Sequence, residues 1–202
     1  MNTPTDLLDQ NKEWANRIKK EDPRFFEQLS KGQSPNYLWI GCADSRVPAS
    51  QVVDLAPGDM FVHRNIANVI AHTDFNSLSV IQYAVAVLRV EHVIICGHYG
   101  CGGVKAAFDD QNHGLIDNWL RHIQDVGRLH ADELDGLSED DKLNRLCELN
   151  VAEQVRNLCQ TPIVQNAWDS GQDLNVHGWI YSLAQGEITD LELTVSSNSD
   201  LS

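Results

Sequence analysis

Two short segments of the chain carry side chains that could hold a metal ion. Cys42 opens the segment CADSR (42–46), and two residues separate His98 from Cys101. Two thiolates and one imidazole form a ligand set that zinc prefers. Three protein ligands leave one tetrahedral position free, which is typical of a catalytic rather than a structural zinc site. The sequence therefore predicts a catalytic zinc site at Cys42, His98 and Cys101.

The first segment also contains an acid and a base, Asp44 and Arg46. An arginine guanidinium can hold a carboxylate by two parallel hydrogen bonds and keep it ionised. An ionised Asp44 beside the metal could then accept a hydrogen bond from a reacting water and orient it. A plain ion pair in a loop is the alternative interpretation. The adjacency to Cys42 favours a catalytic role for the pair.

The metal interpretation also has an alternative, in which the two cysteines are buried core thiols and His98 is an ordinary loop histidine. All three residues directly follow predicted strands and stand beside glycines, which favours metal binding. The other three cysteines lie inside a strand or helical segments, and we expect them to be small buried apolar groups: Cys96, Cys147 and Cys159.

The elements that must position these residues alternate between strands and helices. Helical spacing is evident in 74–89 and in most of 115–170. The apolar, β-rich runs predict five strands, at Asn36–Cys42, Met60–Asn65, His92–Gly97, Asn175–Ser182 and Ile188–Val195. This alternation predicts an α/β fold with a central, mainly parallel sheet flanked by helices. Both metal-binding segments follow strand ends, where open α/β sheets bind ligands.

The first 34 residues differ from the rest of the chain. Leu8, Trp14 and Ile18 recur at helical spacing, and Pro23 marks the opening of a second helix. We interpret 1–34 as an amphipathic arm whose apolar side needs another surface to cover it. The polar tail 196–202 is expected to be frayed. No linker or internal repeat divides residues 1–202, so we predict a single domain.

Composition restricts the partners. The 202 residues include 29 acidic and 15 basic ones, for a formal net charge of -14, and no basic cluster occurs. Nucleic acid and anionic membrane surfaces are therefore not expected as partners. The amino terminus has no secretory pattern, and an odd number of cysteines is typical of reduced thiols. These features predict a cytoplasmic protein.

Together the motifs resemble those of the β-class carbonic anhydrases. The resemblance is carried by CADSRVP (42–48), HRNIAN (63–68) and HYGCGG (98–103), and it extends from about Tyr37 to Tyr181. It implies one Zn²⁺ per chain on Cys42, His98 and Cys101, with the Asp44–Arg46 dyad assisting catalysis. It further implies a lyase that reversibly hydrates CO2 to bicarbonate and a proton by means of a zinc-bound hydroxide.

The resemblance also implies a homodimer or homotetramer in which the amino-terminal arm packs on a neighbouring subunit. The pocket that receives CO2 or bicarbonate would then be lined by five family positions: Gln33, Phe61, Ile66, Tyr83 and Gly102.

A narrower resemblance concerns regulation. Some bacterial and algal members carry a Trp/Arg/Tyr trio that binds bicarbonate outside the catalytic site, and Trp39, Arg64 and Tyr181 match it. The resemblance implies that bicarbonate or low pH breaks the Asp44–Arg46 pair, so that Asp44 becomes a fourth metal ligand in an inactive state. Taken singly, the two aromatic residues would be interpreted as core and the arginine as a surface charge.

Other functions fit less well. The H-x-E and P-C-x-x-C strings of cytidine-type deaminases do not occur, nor does the G-x-G-x-x-G of dinucleotide-binding folds. A Cys101–His98 nucleophile would leave Cys42 and the dyad without a role. A non-catalytic zinc or bicarbonate sensor on the same fold stays open, and an activity assay distinguishes it from an enzyme.

Overall fold

The computed structural model describes residues 3–109 and 111–201, and the chain divides into two compact units, Met1–Ser34 and Pro35–Ser202. The first contains α1 (Pro4–Glu21) and α2 (Phe25–Leu29). Thr3 and Asp6 cap α1 reciprocally, since each side chain accepts a hydrogen bond from the other residue's backbone N–H. Leu7 and Leu8 are exposed on α1.

The second unit is built on a five-stranded sheet of order β2-β1-β3-β4-β5. The three pairings among β2, β1, β3 and β4 are parallel, and β5 runs antiparallel to β4. The strands are β1 (Tyr37–Cys42), β2 (Met60–Asn65), β3 (His92–His98), β4 (Asn175–Ser182) and β5 (Glu187–Val195). The predicted mainly parallel sheet is confirmed, and each strand lies within one residue of its predicted bounds.

Helices cover the sheet and connect its strands. They are α3 (Ala49–Val52), α4 (Phe75–Gln82), α5 (Gly102–Ala107), α6 (Asp117–Leu129), α7 (Ala131–Leu134), α8 (Glu139–Cys159) and α9 (Pro162–Asp169). Short 3-10 turns occur at Ile66–Asn68, Gly114–Ile116 and Asn198–Leu201. The last of these lies in the tail that was expected to be frayed, and Ser202 is outside the described residues.

The expected helix over 74–89 has two parts in the structure. The Asp74 carboxylate caps α4 by accepting hydrogen bonds from two backbone N–H groups. Beyond α4 the segment Tyr83–Leu88 is π-helical and ends at Arg89, whose backbone is left-handed. Helical spacing alone does not separate the two geometries, because a single π turn shifts the pattern by only one residue.

The core lies on both faces of the sheet. Strand β3 is buried at every position after His92, as expected for a strand covered on both sides. Helix α8 packs against β3 and β4. The predicted core cysteines Cys96, Cys147 and Cys159 are all buried, and burial raises the pKa of Cys147 to about 11 and that of Cys159 to about 12. Among the described helices, none is long and apolar enough to cross a membrane.

Candidate metal centre

The three predicted metal ligands converge at the carboxyl edge of the sheet. Strands β1 and β3 are parallel neighbours with Gly41 opposite Cys96, so their ends at Cys42 and His98 lie side by side. Cys101 follows three residues after His98, where it begins helix α5. The ligand atoms of the three side chains all lie within 4.8 Å of one another, and the two Sγ atoms are 3.8 Å apart.

His98 has the hydrogen-bonding pattern of a metal ligand. Its Nδ1 lies 3.0 Å from the carbonyl oxygen of Tyr99, which can only accept, so Nδ1 carries the proton. The lone pair on Nε2 is then free, and this atom is buried without a hydrogen-bond partner among the described residues. A buried unpaired nitrogen is costly, and a metal ion removes that cost.

The two thiols hold their protons unequally. The hydrogen bond from Cys101 lowers the pKa of Cys42 to about 4, although burial opposes the shift. The same contact with Cys42 raises the pKa of Cys101. A thiolate therefore lies beside a thiol and an unpartnered imidazole nitrogen. This soft, electron-rich donor set fits zinc.

Asp44 and Arg46 form the predicted two-point pair. Arg46 Nε donates to Asp44 Oδ1 at 2.9 Å, and Nη2 donates to Oδ2 at 2.7 Å. These bonds hold the pKa of the Asp44 carboxyl well below its usual range. Asp44 Oδ2 lies 3.7 Å from His98 Nε2. An ionised carboxylate with a fixed orientation therefore borders the ligand cluster.

Arg64 has a contact that the sequence did not indicate. Its Nε donates to the carbonyl of Cys42 at 2.7 Å, and its Nη2 donates to the carbonyl of Asp44. The guanidinium therefore holds the backbone on both sides of Ala43. No local signal in the sequence identifies this contact, since both acceptors are main-chain atoms at least 20 residues away.

The other members of the predicted regulatory trio lie on the same face of the sheet. Trp39 is fully buried, and partly buried Tyr181 packs against its apolar cluster. Gly41 accommodates the indole, because a Cβ at that position would lie 2.3 Å from Trp39 Nε1. Arg64 pairs with Gly41 in register and so shares this face.

Four of the five predicted pocket residues lie in the second unit. The rings of Phe61 and Tyr83 are 5.9 Å apart, and Tyr83 is substantially exposed. Ile66 is also exposed, and Gly102 directly follows Cys101. Gln33 belongs to the first unit, and its place in the pocket stays a prediction.

A mainly parallel α/β sheet with a buried Cys2His cluster that could hold a metal ion, and an adjoining Asp–Arg pair, is typical of a metal-binding enzyme. The carbonic anhydrase family model matches residues 37–188, which include all of these groups. The chain therefore belongs to the carbonic anhydrase family, and the solved structures it resembles are of the β class.

Relatives agree over nearly the whole chain. A carbonic anhydrase of Emericella nidulans is 47% identical over 188 residues, which are 93% of this chain and 82% of that protein. The β-carbonic anhydrase of Coccomyxa, solved in complex with acetazolamide, has a TM-score of 0.95 at 38% identity, with 99% of this chain and 91% of that chain covered. A tetrameric β-carbonic anhydrase of Sordaria macrospora has a TM-score of 0.88 at 40% identity, with 94% and 96% covered. The comparisons support a zinc-dependent carbonic anhydrase that hydrates CO2.

Proposed function

We propose that Cys42, His98 and Cys101 hold one zinc ion, which supplies the Lewis acid that makes water nucleophilic toward CO2. The main support is the ligand cluster, whose donor atoms lie within 4.8 Å of one another and include the unpartnered, buried Nε2 of His98. The zinc dependence of the β class supports the choice of metal.

Asp44 is proposed to accept a hydrogen bond from the reacting water and to aim its lone pair at CO2. Its pairing with Arg46 keeps the carboxylate ionised and limits its rotation, so that it can accept but not donate. The uncharged substrate is proposed to approach over the apolar side chains of Phe61, Ile66 and Tyr83, with Gly102 and Gln33 completing the pocket. Bicarbonate then leaves as an anion.

The test of this mechanism is stopped-flow CO2 hydration from about pH 6.5 to about pH 9, with zinc content measured on the same sample. We expect activity that rises with pH at about one zinc per chain. Bound zinc without activity across this range would instead support the second candidate, a non-catalytic sensor of zinc or bicarbonate. The intact Asp44–Arg46 pair favours the enzyme.

We further propose that bicarbonate and low pH inhibit the enzyme through Trp39, Arg64 and Tyr181. Arg64 supports this proposal, because it bonds the carbonyls of Cys42 and Asp44 and lies on the face that carries the two aromatic residues. An anion that draws the guanidinium away would loosen the segment that carries Asp44. The carboxylate, already 3.7 Å from His98 Nε2, could then turn to the fourth position of the cluster.

Low pH would act in the same direction. Hydroxide and the Asp44 carboxylate would compete for the fourth position, so a lower hydroxide concentration favours the closed state. The regulated bacterial subgroup stays a prediction, since the comparisons establish the β class alone.

The proposed regulatory site is tested by measuring bicarbonate inhibition of the wild type and of Tyr181→Phe. This variant removes the hydroxyl proposed to contact bicarbonate and leaves Arg64 in place. We expect about 10-fold weaker inhibition in the variant, the effect of losing one hydrogen bond to a charged group. Equal inhibition would contradict the proposed site.

The assembly and compartment are also proposals. We propose a homodimer or homotetramer in which the arm of one subunit packs on another, in the cytoplasm. The exposed Leu7 and Leu8 of α1 support a packed arm, and the Sordaria macrospora relative is described as tetrameric. Light scattering of the full chain and of a Leu7→Ser/Leu8→Ser variant tests the arm, since we expect the variant to form smaller assemblies.

A further inference from the structure

Helix α8 forms hydrogen bonds to two segments beside the metal centre, namely Tyr99, which follows His98, and the turn at Ala67. The hydroxyl of Tyr99, next to His98, donates to Glu148 at 2.6 Å. Asn150 Nδ2 donates to the carbonyl of Ala67 at 2.9 Å. Two side chains of one helix, those of Glu148 and Asn150, thus bond the backbone or ring of segments that adjoin the ligand cluster.

The contact at Ala67 matters because of the turn that this residue occupies. Ala67 has φ 60° and Asn68 has φ 48°, so two consecutive non-glycine residues are left-handed, a conformation that L side chains disfavour. Both residues are buried. The turn packs against strand β1, and Ala67 lies in the same buried cluster as Cys42. Strain of this kind persists only where surrounding contacts enforce it.

A line of buried amides on α8 enforces the turn. Besides bonding Ala67, Asn150 accepts a hydrogen bond from Gln154 Nε2 at 3.1 Å through its Oδ1. Gln154 Oε1 accepts from the backbone N–H of Ile70 at 2.7 Å. Both amide side chains are 1% exposed. Asn150 bonds the carbonyl of Ala67, and Gln154 bonds the N–H of Ile70 beyond the turn. The turn therefore cannot relax without leaving buried polar groups unpaired.

Gly103 completes this support from the other side. A Cβ at this position would lie 2.6 Å from the side chain of Ile66 and 3.2 Å from that of Ala67. Glycine therefore lets helix α5, which begins beside Cys101, approach the turn closely. The turn is held between α5 and α8.

The second anchor acts on His98. The Tyr99 carbonyl accepts the Nδ1–H bond that leaves His98 Nε2 unprotonated, and the Tyr99 ring is tied to α8 by its hydroxyl. Glu148, which accepts that hydroxyl, is in turn bonded by Arg145 Nη1 at 2.8 Å. The Tyr99 carbonyl, which keeps the proton on His98 Nδ1, is thus held in place through the Glu148–Arg145 ion pair on α8.

We propose that Asn150 and Glu148 are positioning residues that hold Cys42 and His98 in the geometry that binds zinc. Asn150 acts through the left-handed turn that packs beside Cys42, and Glu148 acts through Tyr99. The inference rests on the proposed function of the three ligands as a zinc site. It extends that function to α8, whose amides and carboxylate never touch the metal.

The experiment compares Asn150→Ala with Gln165→Ala in the full chain. Gln165 is a matched control, since its amide also donates to a backbone carbonyl, that of Cys159 at the end of α8. Zinc affinity is measured by competition with a chromophoric chelator, and the thiolate-to-metal absorption is recorded after loading with Co²⁺. We expect about 10- to 100-fold weaker zinc binding and a shifted absorption band in Asn150→Ala, the usual cost of losing such an outer partner. The control should match the wild type.

A further variant keeps the test decisive if Asn150→Ala does not fold. Tyr99→Phe removes only a hydroxyl from a half-buried ring and should weaken zinc binding several-fold. Wild-type affinity and absorption in both Asn150→Ala and Tyr99→Phe would overturn the inference, as would an equal loss in Gln165→Ala. A wild-type chain that binds no zinc would overturn the proposed function as well.

Discussion

Strand β3 carries a histidine at each end, and the two have different surroundings. At its start His92 Nδ1 lies 3.1 Å from His177 Nε2, and His177 Nδ1 lies 3.0 Å from Thr194 Oγ1. At its end His98 leaves Nε2 buried and unpartnered within the described ranges 3–109 and 111–201. The facing nitrogens at the start satisfy one another, whereas the nitrogen at the end still requires a partner. Hydrogen-bond satisfaction therefore separates a structural histidine from a ligand on one strand.

Charge separates the two ends as well. Burial, with a smaller contribution from His92, lowers the pKa of His177, so this imidazole is favoured in its neutral form. Burial also opposes protonation of His98, but its contacts with Cys42 outweigh that effect and raise its pKa. The start of β3 is a hydrogen-bonded pair of histidines, and the end is a cluster of two thiols and an imidazole suited to a cation.

The largest effect should follow from removing a ligand at the end of β3. In Cys101→Ser a hydroxyl replaces a thiol that would bind zinc as a thiolate, and we expect zinc loss with more than about a 10³-fold fall in CO2 hydration. The matched change at the start, His92→Ala, should keep about one zinc per chain and near wild-type activity. Metal analysis and stopped-flow assays on both proteins make the comparison. Zinc loss in His92→Ala would contradict the distinction between a structural histidine at the start of β3 and a metal ligand at its end.

A smaller effect is expected from Asp44→Asn, which leaves the three ligands in place. The amide cannot form the charged two-point pair with Arg46 and presents an N–H where an acceptor is needed. We expect about a 10²-fold fall in turnover with unchanged zinc content, within the usual range for a group that handles a proton. Arg46→Lys, which keeps the charge but loses the second hydrogen bond, should fall between this variant and the wild type. Wild-type turnover in Asp44→Asn would exclude the proposed role.

The smallest effect concerns stability at the start of β3. Because the folded-state pKa of His177 is below its unfolded value, its contribution is fully present above the unfolded pKa of about 6.5 and is lost as the pH falls below it. His177→Gln keeps a polar partner for His92 but cannot titrate. Urea midpoints at about pH 7.5 and about pH 5.5 should therefore fall further for the wild type than for the variant. An equal fall in the urea midpoint of both proteins would show that His177 does not contribute to the pH dependence of stability.

The comparison also shows what could be predicted. Each strand was predictable because apolar, β-rich runs bounded by polar turns leave few alternatives. The residues that meet at the metal centre were predictable for a related reason, since Cys42 and His98 each end a strand. By contrast, the π-helical geometry of Tyr83–Leu88 depends on packing that helical spacing does not record.

The sequence by itself determined the α/β class, the ligand types and their place after strands, because periodicity and side-chain chemistry are local properties. Only the tertiary structure decided that His98 has an unpartnered nitrogen while His92 does not. It alone showed that Arg64 clamps the backbone around Ala43, and that α8 holds the left-handed turn at Ala67. The last two of these features depend on hydrogen bonds to main-chain atoms 20 to 83 residues away, and every residue offers the same backbone groups. Sequence therefore identifies the residues that carry the chemistry, and the fold decides which other groups hold them in place.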